Sequence, residues 1–461
     1  VSQPHRIAIL GMGFSGMMTA VQLMRKASGP LQLILIDPRP MTGRGVAYVT
    51  NSDRHLLNVP AGRMSAFPDQ PHHFLDYVCR HPSYQDIQRD ILERAFLPRN
   101  LYGEYLSEAW QNALASRPSQ VEVKHVQDTV MGMSLDKGVW EIRTLEGQWL
   151  LAEEVVIATG NELPFDPPLD EGKLSSLRNY FRNPWSPHCS EDSKDLSKVL
   201  VIGNGLTMVD VVVSLLEQGF KGEIVSVSPH GYIMLPHRFA GVTYTALKEE
   251  LKEPYEIGSL FRLFRKHIDR LRKVGLSAEP VVDSIRSISQ EVWQKLSLDD
   301  KRRFLAHLRH LWGVARHRLP AQQFDLIQEL KAEGRLKIVK GRVATAQAAD
   351  GRIQVKLRLL PGESTETLLV DRIINCTGPQ LDVSRTENPL LLDLFQQGIL
   401  QPDPLRLGIH TTTEGALIHA DGTADEHVFA LGGHLRGLLW ESTAVPELRL
   451  QAERLAERLL R

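Results

Sequence analysis

The chain has 461 residues, too many for one compact core and suited to two or three domains. Its 54 Lys and Arg nearly cancel its 55 Asp and Glu, so no broad basic field exists to collect nucleic acid or anionic lipid, and neither is expected as a partner. Cys79, Cys189 and Cys376 are far apart and form no Cys-x-x-Cys pair, which argues against a disulfide framework or a thiolate metal site and fits a reducing, cytoplasmic setting.

The first predicted elements are a short apolar strand at 7–10 that ends in glycines, a helix from Met17 to Met24, and a second buried strand at 31–36. The stretch from Ile7 to Met24 is apolar enough to suggest a membrane span, but Gly11, Gly13 and Gly16 interrupt it, and Ser15, Thr19 and Gln22 are polar. A buried strand followed by a helix is expected instead, with no span. No charged leader with a small-residue cleavage site precedes it, so export is not expected.

Alternating segments at 121–126, 139–144 and 149–157 predict antiparallel strands, and the proline-rich break at 164–168 marks a domain boundary. The βαβ pattern then recurs as a strand at 199–202, a helix at 206–216 and a strand at 223–227. From 245 to 331 the pattern is helical and highly charged, with Phe261, Leu263, Phe264, Ile268 and Leu271 as one apolar stripe. Strands return at 336–339, 353–359 and 367–374, and an amphipathic helix from Pro446 closes the chain.

The expected fold class is therefore α/β, with two Rossmann-like dinucleotide-binding domains and a helical insertion. The first domain is expected at 1–165 and 369–461, the second at 166–244 and 332–368, and the insertion at 245–331.

The first turn reads Gly11-Met12-Gly13-Phe14-Ser15-Gly16. Gly11 permits the tight turn, Gly13 lets backbone approach a pyrophosphate, Gly16 lets helix and strand pack closely, and the helix N-terminus supplies amide donors. Asp37 closes the second strand, where a carboxylate accepts hydrogen bonds from the hydroxyls of an adenosine ribose. The second turn, Gly203-Asn204-Gly205-Leu206-Thr207, is less regular, because Met208 replaces the third glycine and implies looser helix packing or a displaced ligand.

No acid follows the second turn's partner strand. Ser228-Pro229-His230, and further on His237-Arg238, offer nothing to repel a 2′-phosphate and several groups to bind one, which favours NADPH over NADH. The alternative is that Ser228 and His230 are simply turn residues. Two buried strands end alike, in Thr159-Gly160 and Thr377-Gly378, where backbone can come close to a ligand.

With these pairs the chain resembles the two-dinucleotide-binding-domain flavoprotein superfamily, which includes glutathione-reductase-like enzymes and flavin monooxygenases. Gly43-Arg44-Gly45-Val46-Ala47-Tyr48, Leu56-Leu57-Asn58-Val59-Pro60-Ala61-Gly62, Gly205-Leu206-Thr207-Met208-Val209-Asp210 and Trp440-Glu441-Ser442-Thr443-Ala444-Val445-Pro446-Glu447 are similar to motifs of a bacterial FAD/NAD(P)-binding family. Its wider group includes N-hydroxylating enzymes such as aspartate N-monooxygenase. Pro98-Arg99 followed by Tyr102 and Tyr105 resembles a segment of ornithine- and lysine-type N-hydroxylases. The resemblance implies FAD on the first domain, with Arg44 and Arg99 on the cofactor side. On chemistry alone, Arg99 is either a forked pyrophosphate donor or a helix-surface arginine.

The strand and turn ending in Gly432-Gly433 resemble the place where FAD enzymes bring an amide to the ribityl chain, although Gly433 stands where an acid is usual. The helix after Trp440 either aims its N-terminal dipole at the flavin or is an ordinary terminal helix.

A disulfide reductase needs a thiol pair beside its flavin, and the Phe-x-Gly-x-x-x-His fingerprint of Baeyer–Villiger enzymes is absent around Phe181 and His188. His230, His237, His410, His419, His427 and His434 lack metal-motif spacing, so no metal is expected.

The expected activity is that of an FAD-dependent, NADPH-using monooxygenase. Hydride passes to FAD, oxygen captures the reduced flavin, and a C4a-hydroperoxide hydroxylates a nitrogen or other soft heteroatom of a small-molecule substrate. Asn58 and Arg63, in the loop after the glycine-rich segment, are candidate flavin-side catalytic groups, or else serve that loop's structure alone. Two alternatives are an NAD(P)H-dependent electron transferase reducing a quinone or partner protein, and a non-catalytic flavin or nucleotide sensor. No motif names a substrate or an oligomeric state.

Overall fold

The computed structural model describes residues 3–40, 43–238 and 242–461. The chain divides into two compact units. The first comprises Val1–Glu162, Ser289–Leu298 and Leu381–Arg461, and the second comprises Leu163–Ile288 and Asp299–Gln380.

In the first unit the strands are β1 (His5–Leu10), β2 (Leu31–Ile36), β3 (Val121–Val126), β4 (Val130–Asp136), β5 (Val139–Thr144), β6 (Trp149–Ala152) and β7 (Glu154–Ile157). Those of the second unit are β8 (Tyr180–Phe181), β9 (Lys198–Ile202), β10 (Glu223–Ser228), β11 (Leu336–Ala349), β12 (Arg352–Leu359), β13 (Thr365–Val370) and β14 (Arg372–Asn375). The first unit is completed by β15 (Ala416–Ile418) and β16 (Ala424–Ala430).

The first sheet runs β15-β16-β7-β1-β2-β3 and is parallel except for the β15–β16 pair. The chain winds away from β1 toward β2 and β3 on one side, and returns to β7 and β16 on the other. The end of β1 is therefore a topological switch point, the place where open α/β sheets leave a crevice for a ligand. From Ile7 and from Val155 onward, β1 and β7 are buried on both faces, which is why 7–10 and 155–157 read as unbroken apolar runs.

The second sheet runs β13-β12-β11-β10-β9-β14-β8. β11 begins parallel to β10 and continues antiparallel to β12. Gly341 sits at this change of partner, and a Cβ there would lie 2.6 Å from the Arg358 carbonyl oxygen.

The strands read from alternation at 121–126 and 149–157 require correction. β3 alternates but is parallel to β2, because alternation reports one covered face of an edge strand and not its direction. The run at 149–157 is two strands. β6 pairs antiparallel with β5 in a separate β4-β5-β6 sheet, whereas β7 pairs parallel with β1.

Glu153 is the joint between them. Its amide donates to the Arg6 carbonyl at 2.9 Å, and its carboxylate accepts the Arg6 amide at 2.7 Å. The second unit uses the same device, since the run read as 367–374 breaks at Asp371. Its amide donates to the Lys198 carbonyl at 2.8 Å, and its carboxylate accepts the Lys198 amide at 2.7 Å. β14 therefore lies beside β9, and the second unit extends to Gln380, past the boundary expected at 369. β4 has no sequence counterpart because Gly132 interrupts its pattern. The packing requires that glycine, since a Cβ there would lie 2.5 Å from an Asp393 carboxylate oxygen.

The helical segment is shared between the units. The helix Ser289–Lys295 packs with Arg436–Leu439 in the first unit, while Ile257–Arg272, Glu279–Ser284, Arg309–Arg316 and Ala321–Ala332 lie in the second. In Ile257–Arg272 the buried line is Ile257, Leu260, His267 and Leu271; Phe261, expected on the stripe, is 42% exposed. Among the described residues no helix is long and apolar enough to cross a membrane.

Candidate functional site

The first turn leaves β1 at Gly11, whose φ is +101°. A Cβ here would stand 2.4 Å from the Ala158 carbonyl oxygen at the end of β7, and one on Gly16 would stand 1.9 Å from the Gly11 oxygen. Gly13 is the N-cap of the helix Phe14–Lys26 and supplies no side-chain cap, so the first amides, at Phe14 and Ser15, have no local side chain to accept from them. Asp37 is buried. Its carboxylate accepts the Met12 amide at 2.8 Å and the Arg39 amide at 2.9 Å, one on each oxygen. The Arg39 guanidinium also donates to both oxygens, from Nε to Oδ1 at 3.2 Å and from Nη2 to Oδ2 at 3.4 Å, so hydroxyls accepted there would take the place of this half-exposed side chain.

Residues 43–48 fold back over this turn. Gly45 lies against Gly13, where a Cβ on Gly45 would be 3.3 Å from the Gly13 Cα. Arg44 donates from Nε to Ser107 at 3.1 Å and packs on Gly103, which ties the loop to the helix Arg99–Ser116. At the start of that helix the Arg99 amide donates to the His55 carbonyl at 2.8 Å, and its Nε donates to the Leu56 carbonyl at 3.0 Å. Arg99 and Asn58 therefore sit at neighbouring ends of one short pairing, in which Leu56 bridges Pro98. Asn58 is half-buried, while Arg63, in the 3-10 turn Ala61–Arg63, is exposed.

The ends of β7 and β16 meet the first turn. Gly160 has φ +78° and open space where a Cβ would go, whereas Gly432 packs on Ser15 and Gly433 on Asn161. Thr159 Oγ1 shares a 2.9 Å hydrogen bond with His434 Nε2. His434, which sequence reading weighed only as a metal ligand, is thus a buried part of this cluster, and its place directly after the glycine pair was the available signal.

Burial pushes the His434 pKa down to about 4 from an ordinary 6.5. The unfolded chain therefore takes up a proton first as pH falls, so the stabilisation is complete above about 6.5 and is lost between there and about 4. We expect acidification over that window to cost about 3 kcal/mol through this residue. Denaturant titrations at each pH check this, with a shallower pH slope expected in His434→Gln.

Beyond this cluster, Trp440 has φ +59° and ψ −61°, and the Glu441 amide donates to the Leu439 carbonyl at 2.6 Å, a rare and strained γ-turn. Trp293 stacks on Trp440 with ring centroids 5.1 Å apart and donates its indole N–H to the Gly437 carbonyl at 2.8 Å. Sequence reading did not single out Trp293.

The second turn repeats the plan of the first. Gly203 has φ +112°, and its Cβ would stand 2.3 Å from the Cys376 carbonyl oxygen at the end of β14. Gly205 is the uncapped N-cap of the helix Leu206–Glu217, with open space around it, and Thr207 lies in the first turn of that helix. Met208 is fully buried and stands where the first turn has Gly16, on which a Cβ would meet the Gly11 carbonyl oxygen. The Asn204 side chain accepts from Ser226 Oγ at 2.6 Å, and its buried Nδ2 has no partner. Gly378, past the end of β14, has φ +95° and open space like Gly160.

Gly11 donates to the Ile36 carbonyl and Gly203 to the Val227 carbonyl, each at 2.8 Å, so Ser228 occupies the place of Asp37. His230 stacks on Tyr232. Arg238, read as a possible phosphate ligand, instead faces Glu279 at 3.7 Å and bonds Ser277.

Uncapped helix ends, a buried orphan donor and glycines opening onto free space fit two dinucleotides. A family model described as FAD-NAD(P)-binding matches residues 8–162. No curated protein is similar enough in sequence to give a match. Among solved structures, the fold is similar to ornithine hydroxylase from Pseudomonas aeruginosa, with 15% identity over 99% of each chain and a TM-score of 0.66. It is also similar to L-lysine 6-monooxygenase from Pseudomonas syringae, with 17% identity over 99% of each chain and a TM-score of 0.67. T. acidophilum thioredoxin reductase shares the fold more distantly, with 11% identity over 98% of this chain and 97% of the other and a TM-score of 0.53. Residues 8–162 thus match the FAD-NAD(P)-binding family, and the chain as a whole has the fold of flavoproteins with two dinucleotide-binding domains.

Proposed function

We propose that the protein is an FAD-dependent, NADPH-using monooxygenase that hydroxylates a nitrogen or other soft heteroatom of a small molecule. The observation that carries this reading is the pair of turns built on one plan, with an acid behind the first and Ser228 in its place behind the second. On this reading Gly11, Gly13, Phe14, Ser15 and Gly16 hold the FAD pyrophosphate, Asp37 its adenosine ribose, and Arg44 and Arg99 the loop that covers it. Thr159, Gly160, Gly432 and Gly433 admit the ribityl side. Gly203, Asn204, Gly205, Leu206, Thr207, Ser228, His230 and Gly378 receive NADPH, and Asn58 and Arg63 stand on the flavin side. Bound FAD would supply the two-electron and oxygen chemistry, and the residues named bind and orient it.

The cysteines disfavour a disulfide reductase. Cys189 and Cys376 are buried in the core of the second unit, and burial raises both thiols, Cys189 to about 11. Cys79, in the first unit, is an unpaired thiol. The likeness in fold to ornithine hydroxylase and lysine 6-monooxygenase along the whole chain supports the monooxygenase branch.

The test is rapid mixing of the NADPH-reduced holoprotein with oxygen, followed by product analysis over a panel of amino acids and amines. A transient spectrum unlike oxidised or reduced flavin, together with hydroxylamine formation from one panel member, is expected. Single-phase reoxidation that releases all electrons as peroxide with every amine, but is accelerated by quinones, would replace this reading with the electron-transferase one.

A further inference from the structure

We propose that Arg309 and His310, from the helical segment, join Ser228 and His230 in a subsite for the 2′-phosphate of the dinucleotide on the second unit. The proposal deepens the NADPH reading above and rests on it.

Position is the first argument. Ser228 occupies the place of Asp37, so a ribose seated on the second turn presents its hydroxyls to Ser228 and the residues after it. Ser228 Oγ accepts the Gly231 amide at 3.1 Å, which leaves its own proton to donate. Two residues on, the His230 ring lies between Tyr232, stacked at 5.4 Å, and His310, at 4.2 Å. Arg309 Nε donates to His310 Nε2 at 3.2 Å. The π-turn Phe304–Leu308 immediately precedes this pair. Such a turn adds about one residue to the helical register and is frequent at functional sites.

Charge is the second argument. Several other arginines of this unit have carboxylate partners: Arg238 faces Glu279, Arg318 meets Asp283 and Arg302 meets Asp299. Among the described residues no carboxylate lies within ion-pair distance of Arg309, His230 or His310. Burial first, and then the charges of Arg309 and His230, push the His310 pKa down to about 4, so the ring stays a neutral acceptor of the Arg309 bond and the guanidinium is the cation that lacks a counter-ion. A phosphate dianion supplies that counter-charge, and a guanidinium can bind it through two parallel hydrogen bonds.

A solvated helix face is the plainer account of Arg309 taken alone. It does not account for two imidazoles in contact and a guanidinium gathered next to the residue that replaces the ribose acid.

The experiment is calorimetric titration of the full-length protein with adenosine 2′,5′-bisphosphate and with adenosine 5′-monophosphate, without oxygen or flavin reduction. The native protein is expected to prefer the bisphosphate by at least tenfold. Arg309→Ala should lower that preference about tenfold or to parity, with monophosphate affinity within twofold of native, which also shows that the variant is folded, and His230→Gln should lower the preference as well. An unchanged preference in both variants, or no preference in the native protein, overturns the subsite. If the native protein binds neither nucleotide, the NADPH reading falls with it. A failure confined to oxygen chemistry would leave this assignment standing.

Discussion

Gly11→Ala is expected to purify almost free of flavin, with FAD affinity reduced more than 100-fold, while Gly203→Ala keeps its flavin and loses nucleotide binding in the second unit. Each glycine has a positive φ, +101° and +112°, where an added side chain costs on the order of 1–3 kcal/mol. Each would also drive a Cβ to within 2.4 Å and 2.3 Å of a backbone carbonyl oxygen, a contact that no rotamer change relieves. Opening the turn is the only escape, and it moves the amides that should face the pyrophosphate. Strain and displacement together exceed about 3 kcal/mol, which is more than 100-fold in a dissociation constant.

The two contacts lie in different units, so the two losses should separate. The flavin-to-protein absorbance ratio and titration with NADP⁺ read them. Gly160→Ala is the control, with a positive φ but open space, and should cost about 1 kcal/mol. Stoichiometric flavin in Gly11→Ala would remove the first turn from the FAD site.

Trp293→Ala is expected to destabilise the first unit by about 3–5 kcal/mol, the usual cost of removing a buried tryptophan. Trp293 is 3% exposed, and its loss removes both the hydrogen bond to Gly437 and the stack on Trp440. Without that stack the γ-turn at Trp440 should relax toward an unstrained conformation, shifting the start of the helix Val445–Leu459. Trp293→Phe should keep most of the packing and lose about 1–3 kcal/mol, because it leaves a buried carbonyl without its donor. Denaturant unfolding measures both, and near-ultraviolet circular dichroism of Trp440 reports the turn. A change under about 1 kcal/mol in Trp293→Ala would mean that Ser289–Leu298 does not stabilise this unit.

The elements legible in sequence were those whose determinants are local. A strand buried on both faces, a glycine turn, a helix and a second strand announce themselves within thirty-odd residues, and Asp37 falls where that unit needs an acid. Direction of pairing was not legible, because β3 alternates equally well beside either kind of neighbour. Nor were the joints at Glu153 and Asp371, since each acts on an arginine or lysine amide more than a hundred residues away. The helical segment was read as one insertion because its composition is uniform, yet Trp293 goes to one unit and Arg309 to the other. His434 needed the fold to bring Thr159 to it.

The seat of each glycine turn is a carbonyl oxygen, given by Ala158 in one unit and Cys376 in the other. Every residue carries that atom, so the side chain behind it can drift without disturbing the turn. Alanine and cysteine share nothing a sequence comparison would score, yet they perform the same service. Selection acting on this contact is therefore visible only on the glycine side. A chain held this way can keep its architecture while its spelling changes almost everywhere else.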